Sequence, residues 1–382
     1  MSRVLFLAPA PPWPGDNGGR IRTAALLRQL SKDHEITLWC VAKEDGSTTG
    51  EEVSAELCAH LEIFARTQPS WLQQLSGPIQ EQWFASEPLR RRLQDISSAQ
   101  FDLIHVDELC LIRHLPPKLS VPVVQHHHKL DYELAGALRP PGARRKLELE
   151  RWQRLEQESV ARTRHHVFCS QEDAQRFAKR HSAVQTLVVP NGVDTHFFDG
   201  PGPPRYAARL LLLGDLEYEP NRRGIQSFLD EVWPSLRAAR GDLQLSIVGR
   251  GAESPDAAQL PAGVQWIGEV SDVRPWLAQA SALVVPLGVG GGTRLKILEA
   301  AAARCPVLTT RVGLEGLRLV HGEHLLAVES IADLRAGVLD CLNYPERAAG
   351  RATYAKEFVR RHYEWREIAR TLADGWRRFS AG

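Results

Sequence analysis

The chain of 382 residues lacks several features that would have set its class at once. It has no CxxC: the six cysteines, at 40, 58, 110, 169, 305 and 341, stand singly. That pattern argues against a disulfide framework or a zinc ribbon and fits the reduced thiols of a cytoplasmic protein. It has no charge excess, with 47 Lys and Arg against 46 Asp and Glu, so nucleic acid is not an expected partner. It has no apolar run long enough to span a bilayer. The opening MSRVLFLAPAPPWPG is apolar for only about seven residues before proline takes over, and reads as a first strand rather than a secretion signal. The fingerprint GxGxxG does not follow that strand, which argues against NAD.

What is present is an alternation. Apolar runs at 4–10, 35–42, 101–107, 121–125, 165–170 and 186–190 read as buried strands, and 18–33 reads as an amphipathic helix after the first of them. Between 66 and 99 the pattern is helical and irregular. The proline-glycine cluster DGPGPPRYA (199–207) breaks the series. A second series then runs through RLLLLGDL, LQLSIVG, VQWIGEV, ALVVPL and PVLTT. Alternation of this kind predicts parallel sheets covered on both faces. The expected architecture is therefore α/β, with two doubly wound domains at 1–198 and 208–363, a linker at 199–207 and a C-terminal helix at 364–379. Ligands of such sheets bind beyond the carboxyl ends of the strands, and two such domains suggest a cleft between them.

The most informative segment is GVGGGTRLKILEA (288–300). Glycines at a helix start let an anion approach unpaired N–H groups at the positive end of the helix dipole. Gly290, Gly291 and Gly292 supply that approach, with Thr293 as the expected N-cap. Thr293, Lys296 and Glu299 recur at a spacing of three and share a face; Leu295, Leu298 and Ala302 form the core face. Lys296 and Arg294 are the cations suited to a diphosphate. Glu299 is suited to the two adjacent hydroxyls of a ribose. A surface turn with an intrahelical ion pair is the plainer alternative. The order of strand, glycine loop, cation and carboxylate favours a nucleotide-sugar site.

Other segments add to this. GDNGGR (15–20) is a second glycine-rich helix start, or an ordinary tight turn. HHHKLDYE (126–133) puts three histidines after a strand, where imidazole suits hydrogen bonding to a sugar hydroxyl or proton transfer near neutrality. FDLIHVDEL (101–109) ends a strand with His105, Asp107 and Glu108, with a structural role as plausible as a place in the site. VPNGVD (189–194) reads as a turn near the linker.

Taken in order with GDLEYEPNRRG (214–224), LSIVGRG (245–251), GEVSDVRPWLAQASALVVPL (268–287) and KILEAAAARCPVLTTRVGLEGL (296–317), these segments make the chain resemble the family 4 glycosyltransferases. That resemblance implies the GT-B fold, two Rossmann-like domains facing a central cleft. It implies that Glu299 holds the nucleotide ribose, that Gly249, Arg250 and Val270 lie around the base and ribose, and that Gly18 and Gly19 pass close to the donor phosphate or the acceptor. It implies a histidine near the reacting carbon. His128 matches best, with Asp131 following as an acid; a register slip would substitute His126 or His127. The C-terminal helix is expected to return to the first domain.

Two departures stand out. The family's paired glutamates, eight positions apart, would put the first at Gly291. The family's diphosphate-gripping Arg and Lys fall on Asp215 and Arg223, so Arg223 remains a donor-binding candidate and the emphasis moves to Lys296 and Arg294. No DxD occurs, so no metal is expected, and the diphosphate charge would be offset by cations and a helix dipole.

The stretch 139–166 carries eight Arg and Lys against four Glu. It reads either as an ion-paired solvated face or as a contact with an anionic membrane surface. The expected activity is retaining transfer of a sugar from a nucleoside diphosphate sugar to a hydroxyl acceptor, such as a glycan or a lipid-linked sugar. No cofactor is needed. The expected place is the cytoplasm, with the inner membrane face as the alternative. A non-catalytic nucleotide-sugar binder, or an epimerase or phosphorylase of the same fold, is the alternative reading.

Overall fold

A computed structural model describes residues 1–42, 56–69, 77–199, 208–251 and 260–380. It divides into two compact units, one of residues 1–190 with 365–382 and one of residues 191–364. The chain thus leaves the first unit after Pro190 and re-enters it at Trp365. Of the expected linker, residues 200–207 lie outside the described residues.

Among the described residues the first unit holds seven strands: β1 (Arg3–Ala8), β2 (Glu35–Ala42), β3 (His60–Ala65), β4 (Leu103–Val106), β5 (Val123–His127), β6 (His165–Phe168) and β7 (Gln185–Val188). Their order is β3-β2-β1-β4-β5-β6-β7, every pairing parallel. The interior strands are buried on both faces, which is why β1 reads as an unbroken apolar run rather than an alternating one. The order turns at β1 and β4, the point where ligands gather in doubly wound sheets. The Gly18–Leu30 helix starts near this point, and Asp107 and His128 follow the ends of β4 and β5.

The Trp365–Ser380 helix belongs to this unit and packs on the Gly18–Leu30 helix. Trp365, Ile368, Ala369, Leu372, Ala373, Trp376 and Phe379 form its buried face, at the three-and-four spacing of an amphipathic helix.

The second unit holds β8 (Arg209–Leu213), β9 (Gln244–Val248), β10 (Val264–Gly268), β11 (Ala282–Val285), β12 (Val307–Thr310) and β13 (Leu326–Val328), in the order β10-β9-β8-β11-β12-β13, again all parallel. Here the order turns at β8 and β11. The loop after β11 carries the glycine triplet and leads into the Leu295–Ala302 helix. That helix buries Leu295, Ile297, Leu298, Ala300, Ala301 and Ala302 and leaves Lys296 and Glu299 half-buried on its other side.

Candidate functional site

In the first unit the site is built around Asp107, whose carboxylate is fully buried just past β4. Its Oδ2 accepts from the Thr23 hydroxyl at 2.6 Å. Its Oδ1 faces three imidazoles: His128 Nε2 at 2.9 Å, His126 Nδ1 at 3.2 Å and His105 Nε2 at 3.8 Å. Arg22 donates to His126 Nε2 at 2.9 Å, and the indole N–H of Trp376 donates to His105 Nδ1 at 3.1 Å. Guanidinium and indole groups only donate. His126 Nε2 and His105 Nδ1 are therefore unprotonated; the remaining N–H of His126 reaches Asp107 at 3.2 Å, and that of His105 faces it from 3.8 Å.

His128 differs from its two neighbours. Its Nδ1 lies 3.3 Å from Glu108 Oε1, so both of its nitrogens face carboxylates and both can carry protons. Burial pulls its pKa down, but the charges of Asp107 and Glu108 outweigh this and the net shift is upward. Burial lowers the pKa of His105, and burial with the nearby Arg22 lowers that of His126. Asp107 stays well below the usual carboxylate range: burial would raise it, but the His128 charge and the imidazole N–H groups prevail. His128 is 12 % exposed, the one imidazole of the three with an outlet.

His105, Asp107 and His126 bring metal-ligand types within 4.8 Å of one another. The fixed tautomers put protons, not lone pairs, on the converging nitrogens, so this group is suited to holding a carboxylate charge rather than a cation.

Gly19 lies beside His128: a Cβ on it would sit 3.7 Å from the imidazole Nδ1, and its carbonyl is 3.0 Å from the Thr23 hydroxyl. Gly18 opens the helix behind Asn17, whose side chain caps it by accepting from Arg20 N at 3.1 Å. Asp131 does not touch His128. It is buried in the first turn of the Asp131–Leu138 helix and paired with Lys129 at 3.1 Å. The carboxylate that holds His128 is Asp107, 21 residues earlier and one strand over.

In the second unit the site is built mainly from backbone. Gly249 passes so close to Gly214 that a Cβ on it would lie 1.7 Å from the Gly214 carbonyl oxygen. A Cβ on Gly214 would lie 2.5 Å from Lys296 Nζ. Lys296 donates to Asn221 Oδ1 at 2.9 Å, and Asn221 donates to the Asp215 carbonyl at 2.7 Å. The Asp215 carboxylate in turn pairs with Arg250 at 2.9 Å. Position 215, where the family resemblance implies a cation, thus holds one in place instead. Burial, with repulsion from Arg294, lowers the Lys296 pKa to about 7. Burial raises that of Glu299 to about 7.

Four expected donor-site residues have partners within the protein. Arg294 is 7 % exposed and donates to the carbonyls of Gly291, at 2.9 Å, and Gly292, and to Val312 O at 3.1 Å. It shapes the glycine loop, in which Gly292 has φ +70° and a Cβ on Gly290 would meet the guanidinium at 2.6 Å. Thr293 is not the N-cap: the cap position is Arg294, without a side-chain bond, while the Thr293 carbonyl accepts from Asn191 at 3.1 Å. Arg223 is 48 % exposed and paired with Glu219 on its own helix. The Val270 side chain packs against the core of the second unit. Sequence reasoning missed Asn221, Thr23, Arg22 and Trp376. Asn221 sits in the quoted EPNRRG segment, but its role depends on a contact 75 residues away.

Residues 16–197 match the family described as Glycosyltransferase Family 4, and residues 207–344 the family described as Glycosyl transferases group 1. The chain belongs to these glycosyltransferases. Among curated proteins it is similar to the glycogen synthase of Mycobacterium tuberculosis, 28% identical over 202 residues that make up 50% of this chain and 48% of the relative. The match thus spans about half the length of that relative. Among solved structures, a Thermosynechococcus elongatus sucrose-phosphate synthase matches with a TM-score of 0.73 at 17% identity, covering 100% of both chains. Anabaena Alr3699/HepE in complex with UDP and glucose matches with a TM-score of 0.69 at 14% identity, covering 98% of this chain and 99% of that one. WaaG, a glycosyltransferase involved in lipopolysaccharide biosynthesis, matches with a TM-score of 0.66 at 15% identity, covering 97% and 98%. These likenesses establish the GT-B fold of two Rossmann-like domains. No helix among the described residues is long and apolar enough to cross a membrane.

Proposed function

We propose that this glycosyltransferase takes a sugar from a nucleoside diphosphate sugar and passes it to a hydroxyl acceptor with retention of the anomeric configuration. The observation that carries the donor reading is the pairing of half-buried Lys296 and Glu299 on one face of the helix that follows the glycine loop. Lys296, steadied by Asn221, is suited to the diphosphate, and Glu299 to ribose hydroxyls. The second unit is the donor-binding domain and the first the acceptor-side domain, with His128 as its site residue. The leaving phosphate helps to take the acceptor proton, and cations with a helix dipole offset its charge without a required metal. The UDP and glucose bound to HepE favour a uridine diphosphate donor. The lipopolysaccharide role of WaaG favours a cell-envelope or polysaccharide acceptor, lipid-linked and approached from the cytoplasmic membrane face.

The test is a thermal-shift screen of the full chain against UDP, GDP, ADP, CMP and dTDP and their sugars, with magnesium and with chelator. One diphosphate stabilises the protein, and the shift survives chelation. Replacing Glu299 by Ala then weakens binding of that ligand at least about tenfold, the effect of one lost hydrogen-bonding carboxylate. Unchanged affinity in that variant removes Glu299 from the site.

A further inference from the structure

The last helix places an indole N–H where it governs the group around Asp107. We propose that Trp376 is a positioning residue for His128: by donating to His105 Nδ1 it holds His105 in the Nε2–H tautomer, and so fixes how the Asp107 carboxylate is shared among its three imidazoles. Trp376 is buried and 271 residues from His105 in sequence, yet the two meet edge-on, ring centroids 5.5 Å apart, with the N–H directed at the imidazole nitrogen. On its other face His105 stacks on Phe6 at 4.5 Å, so the ring is held in plane as well as in tautomer.

The consequence follows from counting donors. With Trp376 in place, His105 Nε2 carries a proton and cannot accept from His126 Nδ1, 3.2 Å away. Arg22 forces the proton of His126 onto that same Nδ1. The His126 N–H is left with Asp107 Oδ1 as its acceptor at 3.2 Å, while the His105 N–H faces the same oxygen from 3.8 Å, beyond hydrogen-bond distance. Without the indole donor, His105 is free to move its proton to Nδ1 and accept from His126 through Nε2. Asp107 then loses the His126 donor, its charge is less compensated, and it binds the His128 proton more strongly.

The groups facing His128 are Asp107 and Glu108 beyond β4, Arg22 on the Gly18–Leu30 helix, His126 on its own strand, and Lys129 and Asp131 just after it. Of these, only Asp107 and His126 change partners when the indole is lost. Lys129, Asp131 and Glu108 keep theirs.

The proposal rests on the transferase reading only for the meaning of His128; the tautomers are independent of it. In the full chain with histidine-selective nitrogen labelling, His105, assigned through its contact with Phe6, is expected as the Nε2–H tautomer and His126 as Nδ1–H. A Trp376→Phe variant keeps the aromatic bulk and removes the donor. In it the His105 proton is expected to move to Nδ1, and the His128 titration and the alkaline limb of any transfer profile to shift to higher pH. The rate at the optimum falls by no more than about tenfold, the scale of one neutral hydrogen bond. A wild-type His105 protonated at Nδ1 overturns the proposal, and this holds even if the variant does not fold. A variant that loses rate equally at every pH, with the His128 titration unmoved, also overturns it and reduces Trp376 to packing. Failure of the donor screen overturns the transferase reading alone, since the tautomers are read without donor.

Discussion

The histidine group at Asp107 and the glycine loop before Leu295 both lie at the carboxyl edge of a parallel sheet, and they are made of opposite materials. The first is all side chain. A buried carboxylate collects three imidazoles and a hydroxyl, and an arginine and an indole behind them decide where each proton sits. The second is mostly backbone. Glycines bring main chain within reach, Arg294 is spent on holding their carbonyls, and Lys296, Glu299 and the Arg250–Asp215 pair offer charge. Protons are fixed in advance in the first, as a group meant to present one defined hydrogen bond requires. In the second, burial brings the pKa of both the Lys and the Glu to about 7, the kind of shift that clusters at functional sites.

The sharpest way to break this contrast is Asp107→Asn, which keeps the shape and removes the charge. His128 then loses the nearer of the two carboxylates that keep it protonated. We expect transfer to fall on the order of 10³-fold, while binding of the nucleoside diphosphate alone changes by less than about twofold, because the proposed function assigns that ligand to the other unit. Comparable losses in both would show that Asp107 supports the whole protein rather than the chemistry at His128.

The backbone side of the contrast is tested by Gly249→Ala. The added methyl would face a carbonyl oxygen, which cannot move aside as a side chain can. The expected cost is about 3 kcal/mol, seen as a fall in Tm of the second unit by about 5 °C or more. Gly290→Ala sharpens the point, since its methyl meets the end of a guanidinium at 2.6 Å and should cost less. Equal Tm values for wild type and Gly249→Ala would mean that the strand ends are looser than the close approach implies.

The same contrast explains what the sequence made legible. Buried parallel strands such as VLFLA and RLLLL announce themselves, and so does a glycine triplet before a helix. The edge strand β3 (HLEIFA) alternates and is partly exposed, and β13 has three residues, so neither stands out as a buried run. The glycine loop was legible because backbone sites need glycine locally. The histidine group was only half legible: His128 is visible beside its strand, but Asp107 reaches it through the pairing of β4 with β5. Arg294 illustrates the limit most clearly. Spacing marks it as a cation near a diphosphate site, whereas its partners are carbonyls two and three residues before it.

The smallest expected effect lies in the pH dependence of donor affinity. Lys296 carries its charge below about 7 and loses it above. Glu299 is neutral below about 7 and accepts hydrogen bonds as an anion above it. A ligand that needs the ammonium for its diphosphate and the carboxylate for its ribose binds best near the crossing, and more weakly on both sides. Each limb is limited to about tenfold per pH unit, the ceiling for one proton, and about threefold is expected one unit from the optimum. Calorimetric titrations of the nucleoside diphosphate across this range measure it. Lys296→Gln should remove the alkaline limb and leave the acid one, and Glu299→Gln should do the reverse. If both variants keep both limbs, the titrating groups lie elsewhere, and the helix face that pairs Lys296 with Glu299 loses its claim to hold the donor.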